Sequence, residues 1–151
     1  MKHSNLIFLL FISYSLPVLG ETLLDAAKTG DASTALSLLN NDNINIRDST
    51  GTTALHWAVY NDQPELVAAL IETGANVDTA NNYGASPLGE AAITGNPGVI
   101  AMLLAAGANP DASNPEGQTA LMVLARTENT EAATVLLGHG ADPNVRETWK
   151  A

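Results

Sequence analysis

Gly74, Gly107 and Gly140 recur 33 residues apart, and each opens the same tripeptide, Gly-Ala-Asn or Gly-Ala-Asp. Gly51, Gly84 and Gly117 keep that interval, as do Leu55, Leu88 and Leu121 and the pairs Leu70-Ile71, Leu103-Leu104 and Leu136-Leu137. Four registers in step mean that one supersecondary unit is repeated along the chain. A unit this short cannot bury both sides of its apolar face, so its copies must stack on one another. The stack, rather than any single unit, is then the stable object.

Each unit reads as two short helices and an extended loop. In the second unit, Thr53 to Val59 start the first helix. Pro64 opens the next, where its missing N–H costs nothing and its fixed φ suits the first turn. Leu66, Val67, Leu70 and Ile71 follow at the spacing of one helical face. Gly74 then stops the helix at a position that favours left-handed backbone. The third unit repeats the pattern with Asn96 as N-cap, Pro97 in the first turn and Gly107 as the stop. In the fourth, Asn129 takes the cap and Thr130 replaces the proline. Ala58, Ala91 and Ala92 are small where successive first helices must approach closely, and the leucine pairs of the second helices are expected to fill the space between units.

These residues resemble the ankyrin-repeat family. The resemblance is carried by GTTALHWAVYNDQPELVAALIETGANVD, GASPLGEAAITGNPGVIAMLLAAGANPD and GQTALMVLARTENTEAATVLLGHGADPN, with LLDAAKTGDASTALSLLNNDNINI fitting as a capping unit one residue short in its loop. It implies an all-α solenoid of stacked helix-turn-helix units with extended, hairpin-like loops. The expected organisation is a signal peptide at 1–20, a capping repeat at 21–49, repeats at 50–82, 83–115 and 116–148, and the start of a truncated further repeat at 149–151. It also implies a hydrogen-bonded Thr and His at the start of each unit. Only Thr53 and His56 keep both; Ser86 faces Gly89 and Thr119 faces Met122. The later units are therefore expected to have a weaker polar network and to lean on apolar stacking.

Two further departures stand out. Glu90 occupies the register of Trp57 and Val123, and the favoured reading is a solvated carboxylate at the edge of the surface rather than a functional acid. At the C-terminus, Lys150 falls in the register of Gly51, Gly84 and Gly117, and no polar capping unit follows, which leaves one flank of Leu136 and Leu137 unprotected. Either the chain is a fragment of a longer array, the favoured reading, or Trp149 folds back over that flank.

Residues 1–20, MKHSNLIFLLFISYSLPVLG, have the order of a secretory signal peptide: Lys2, an apolar run from Leu6 to Leu16, the helix breaker Pro17, and Val18-Leu19-Gly20 before a cleavage site at Gly20–Glu21. The apolar run is shorter than a membrane span. The chain has no cysteine, which removes disulfides, thiolate metal sites and Cys nucleophiles together. With 46% apolar and 15% charged residues it is globular rather than disordered. Its net charge of −10 and scattered Lys and Arg argue against nucleic acid and anionic membrane surfaces as partners.

No chemistry-bearing motif is evident. His56 is accounted for by the repeat and His139 by a helix end. No trio of ligands has metal-site spacing, and neither a Gly-x-Ser-x-Gly elbow nor a phosphate loop is present. No catalytic residue, cofactor or metal is expected. Asp31, Asp48, Asp78 and Asp142 fall in or beside turns, where carboxylates accept backbone N–H groups.

The resemblance implies a concave surface built from loops and the outer side of the first helices. The residues that vary between units there are Ser49, Thr50, Thr52, Tyr60 and Asn61; Asn82, Tyr83, Ala85, Ile93 and Thr94; and Pro115, Glu116, Gln118, Arg126 and Thr127. Tyr60, Tyr83 and Ile93 are the expected anchors, since large side chains bury area at low entropic cost. The expected function is a non-catalytic protein–protein interaction module, monomeric, exported to the periplasm or the medium, with a partner whose identity no motif encodes. Export without any Asn-x-Ser/Thr motif suggests a bacterial-type protein. The alternative is the N-terminal docking segment of a longer secreted enzyme or effector.

Overall fold

The computed structural model describes residues 21–146. The signal-peptide expectation at 1–20, and Trp149 with its fold-back, lie outside them. The described residues form eight helices: α1 Leu23–Thr29, α2 Ala32–Leu38, α3 Ala54–Tyr60, α4 Pro64–Glu72, α5 Pro87–Thr94, α6 Pro97–Ala105, α7 Ala120–Arg126 and α8 Thr130–Gly138. Consecutive helices pair as α1–α2, α3–α4, α5–α6 and α7–α8. The first helices then pack in one row, α1 to α3 to α5 to α7, and the second in another, α2 to α4 to α6 to α8. The structure is thus the all-α stack that the repeat implies.

Local chemistry sets the helix ends. Thr22 and Asp25 form a reciprocal capping box on α1. Asn96 accepts from the N–H groups of Gly98 and Val99, and Asn129 from that of Ala132, so both act as the expected caps. Pro64, Pro87 and Pro97 occupy first turns. The tight turn joining the two helices of each unit needs one left-handed residue. Gly30 and Gly95 supply it in two units, whereas Asp62 (φ 51°) and Glu128 (φ 57°) hold it against a Cβ penalty in the others.

One continuous core runs between the two helix rows, built on Leu23, Leu55, Leu66, Leu70, Leu88, Ile100, Leu103, Leu124 and Leu136. Each leucine of this kind, when fully buried, contributes on the order of 1.5–3 kcal/mol. Ala58, Ala91 and Ala92 are buried where α3 and α5 meet their neighbours. The leucine pairs do not all behave alike. Leu103 and Leu104 are buried, but Leu137 is 47% exposed and Leu121 only partly covered. Together with Met122, Pro143 and Val145 they line a shallow apolar depression, because among the described residues no further unit packs on α7 and α8.

The polar network follows the expectation at His56 and departs from it elsewhere. The His56 bridge has no counterpart in the later units, as Gly89 and Met122 carry no ring to make it. Two other ladders of side chains nonetheless continue to the end of the array. In one, Asn45, Asp78 and Asp111 each accept the N–H of a residue 31 positions on, namely Asn76 (2.8 Å), Asn109 (2.9 Å) and Asp142 (2.8 Å). In the other, residues at the start of a second helix reach back one unit: Gln63 to the Gly30 carbonyl (2.6 Å), Asn96 to Asp62 (2.7 Å) and Asn129 to the Gly95 carbonyl (2.8 Å). Inter-unit hydrogen bonding therefore does not fade along the stack.

Candidate binding surface

The loops between units are shaped by a side chain recurring every 33 residues. Asp48, Asn81 and Asn114 each accept two backbone N–H groups through one oxygen, from Thr50 and Thr52, Tyr83 and Ala85, and Glu116 and Gln118 respectively. Short polar side chains of this kind mimic a backbone turn. The turn closes with Asp48, Asn81 and Asn114 donating their own N–H to the carbonyls of Thr52, Ala85 and Gln118. Isolated bridges at Arg47–Thr53 and Ser113–Thr119 give two of the loops a hairpin character without any strand among the described residues. Adjacent tips are tied together: Asn82 donates its N–H to Thr50 and its side-chain amide to Ser49 (3.2 Å), and Arg47 reaches the Ala80 carbonyl (2.7 Å).

His56 links loop and helix. Its Nδ1 faces Thr53, with the hydroxyl at 2.9 Å and the backbone N–H at 3.3 Å, and its Nε2 lies 3.0 Å from the Ala85 carbonyl of the next unit. The geometry fits one tautomer, with Nε2–H donating to Ala85 and Nδ1 accepting from Thr53. Burial lowers the His56 pKa, with the Ala85 carbonyl pulling the other way, so the ring is held neutral.

Between the first helices of the first three units and the loop tips lies a cleft of about 390 Å³. It is lined by the expected Ser49, Thr50, Thr52, Tyr60 and Tyr83, together with Lys28, Asp48, His56, Trp57, Asn81 and Glu90. Tyr60 meets Trp57 edge to face at 5.9 Å, and the Lys28 ammonium sits 5.5 Å from the centre of the Trp57 ring. The Trp57 indole N–H is buried and has no acceptor of good hydrogen-bond geometry, although the Asp48 carboxylate is close enough to be stabilised by it. Burial raises the Asp48 pKa, but hydrogen bonds from Thr50 and Thr52 outweigh it and keep the carboxyl below its usual range.

A smaller concavity of about 140 Å³ lies beyond Glu90 and collects Ala85, Ile93, Gln118 and Arg126 with Ser86 and Val123. Glu90 is the wall shared by both hollows. It is not the freely solvated carboxylate expected from the sequence: it is part-buried, and desolvation raises its pKa. Asp48 and His56 line the same cleft, so Glu90 also has titratable company that the sequence did not suggest.

The remaining expected residues are placed differently. Asn61 is a strut, donating to the Ala27 carbonyl of the first unit (2.9 Å), and Asn82 ties loop tips together. The hydroxyls of Thr94 and Thr127 fold back onto their own helices, at the carbonyls of Ala91 (3.1 Å) and Leu124 (3.2 Å). Thr52 is buried, its hydroxyl held by Thr50. Glu116 stays exposed at a loop tip outside both hollows, and Pro115 abuts Gly84. Tyr60, Tyr83 and Ile93 are 61%, 72% and 67% exposed, large apolar side chains left standing on this face.

Lys28 was missed because the first unit is one residue short. Shifting that unit by one puts Lys28 in the row of Tyr60, Ile93 and Arg126, which was readable from the sequence. Among the described residues no group of three or more His, Asp or Glu could hold a metal ion, and no helix is long and apolar enough to cross a membrane.

The repeat pattern of the chain matches a family described as ankyrin repeats (3 copies) over residues 23–114 and one described as ankyrin repeat over residues 116–148. It is also similar to a calmodulin-binding transcription activator, CBT, of Oryza sativa subsp. japonica. The two are 47% identical over 38 residues, which is 25% of this chain and only 4% of that protein. Domains of this kind are typically non-catalytic and act in protein–protein interaction. With two rows of helices, tied loop tips and matched repeats along nearly all of the described residues, the chain belongs to the ankyrin-repeat family.

Proposed function

We propose that this protein is a non-catalytic interaction module that grips a protein partner with its loop tips and first helices. The observation that carries this reading is the set of uncovered large side chains on one face of the stack, Tyr60 and Tyr83 at the larger cleft and Ile93 at the smaller hollow beside it. Large exposed apolar groups next to a concavity are the common anchors of protein recognition.

The test is affinity capture with the wild-type protein and with the Tyr60→Ala/Tyr83→Ala double variant, after thermal melting shows equal folding. A partner retained by the first and lost by the second supports the surface. An identical captured set refutes it.

Export completes the reading, and it rests on the order of charge, apolar run and breaker in residues 1–20. N-terminal sequencing of protein recovered from the exported fraction should begin at Glu21. A mature protein that still begins at Met1 would overturn processing at that bond.

A further inference from the structure

The cleft around Trp57 has a chemistry more specific than an apolar anchor site. Its floor is an indole whose face already carries a cation, the Lys28 ammonium at 5.5 Å. Tyr60 is set edge-on against that indole, and Tyr83 stands on the neighbouring loop tip. Asp48 and Glu90 also line the cleft. The two carboxylates differ in how they are satisfied. Asp48 is engaged by the turn it organises, one of its oxygens accepting three hydrogen bonds from Thr50 and Thr52. The Glu90 carboxylate makes no hydrogen bond or ion pair with another described residue, although the residue is part-buried between two hollows. A desolvated carboxylate without a counter-charge is costly, and a cation arriving beside it is attracted more strongly than at a free surface. Among the described residues Lys28 is the one cation in the lining; His56 is held neutral, so these residues give the cleft a net negative charge within a chain of net charge −10.

Resting on the interaction-module reading, we propose that this cleft receives an arginine side chain of the protein partner, its guanidinium stacked on Trp57 and hydrogen-bonded to Glu90. Arginine fits better than lysine for three physical reasons. Its plane lies flat on an indole, its fork can engage a carboxylate with two N–H groups, and it sheds water more readily. A partner residue, rather than a free amine, accounts for Tyr60 and Tyr83, whose exposed surfaces extend the site outward where a peptide chain on either side of the arginine would lie. Lys28 in this picture is a competitor. It occupies the ring face when the cleft is empty and is displaced by the incoming guanidinium.

The probe is acetyl-Gly-Arg-Gly-amide, with lysine, norleucine and glutamate in place of arginine as controls. Binding is followed by the Trp57 indole N–H resonance of the ¹⁵N-labelled protein in a Trp149→Phe background, which leaves a single indole. The arginine peptide should give a saturable shift, the lysine peptide a binding weaker by about fivefold, and the other two no saturation. Glu90→Gln should weaken the arginine peptide by roughly tenfold. Lys28→Ala should tighten it severalfold, a direction that a merely structural Lys28 would not produce. Melting curves of both variants establish that they fold. The assignment is overturned by a norleucine peptide that binds as well as the arginine one, by no saturable shift with arginine, or by Lys28→Ala weakening the complex. If the arginine peptide fails while Tyr60→Ala/Tyr83→Ala still abolishes partner capture, the arginine assignment falls and the interaction module stands.

Discussion

Replacing His56 by alanine removes a ring that is only 2% exposed and holds two units together. The Ala85 carbonyl loses the donor at 3.0 Å, and the Thr53 hydroxyl loses the acceptor at 2.9 Å inside a buried turn. A buried group left without its partner costs about 1–2 kcal/mol, and the lost packing adds about 1 kcal/mol more. The expected destabilisation is therefore about 3 kcal/mol. With a denaturant slope of about 2 kcal/mol per molar urea, the unfolding midpoint should fall by about 1.5 M. A second measurement isolates the imidazole. Burial lowers the His56 pKa from its usual 6.5, so the unfolded chain takes up a proton at a pH where the folded one does not. The ring's contribution is then complete above pH 6.5 and is lost as the pH falls from there through the folded pKa. Urea midpoints taken at about pH 7.5 and about pH 5.5 should drop for the wild type, and His56→Ala should show a smaller drop. An unchanged midpoint in the variant, or equal pH dependence in the two proteins, would refute the bridging role.

Three other substitutions probe the stack. Gly84 has φ +77° and a Cβ there would collide with the Pro115 side chain, whereas at Gly107 (φ +93°) nothing lies within 4 Å. Gly107→Ala should cost only the backbone penalty of about 1–2 kcal/mol and Gly84→Ala distinctly more by calorimetry; equal losses would remove the contact between loop tips. Asn129 caps α8 and donates to the preceding unit, so Asn129→Ala should cost about 2 kcal/mol and Asn129→Ser, which keeps the cap, about 1 kcal/mol. If serine restores full stability in urea titration, the reach to Gly95 contributes nothing. Glu128 holds a left-handed backbone where two sister turns use glycine, and Glu128→Gly should raise the melting midpoint by the equivalent of about 0.5–1 kcal/mol; a lowered midpoint would contradict that strain.

Much of the architecture could be read from the chain because it is written locally. Asn96 and Asn129 as caps, Pro64 and Pro97 in first turns, and the left-handed Gly74, Gly107 and Gly140 depend on neighbours within a few residues. The ladders through Asn45, Asp78 and Asp111 were not legible in the same way. Each of those side chains could have satisfied its own turn, and only the stacking of one unit on the next brings a residue 31 positions away within reach. The candidate site divides along the same line. Tyr60 and Tyr83 were found because a large side chain at a position that varies between units signals an exposed anchor. Asn61, Asn82, Thr94 and Thr127 vary just as freely, yet their polar ends are spent on backbone carbonyls.

The sequence by itself determined that this chain is a 33-residue repeat, where the second helices of the later units begin and stop, and that Ala58, Ala91 and Ala92 face inward. Periodicity and capping are properties of short stretches, and they need no knowledge of what lies across the fold. Only the tertiary structure decided that Glu90 is drawn out of open solvent and that Lys28 rests on Trp57. Those outcomes depend on how far one unit is rotated and offset on the next. That displacement decides which side chains from different units share a cleft, and it is set by the packing of whole helices rather than by any single residue.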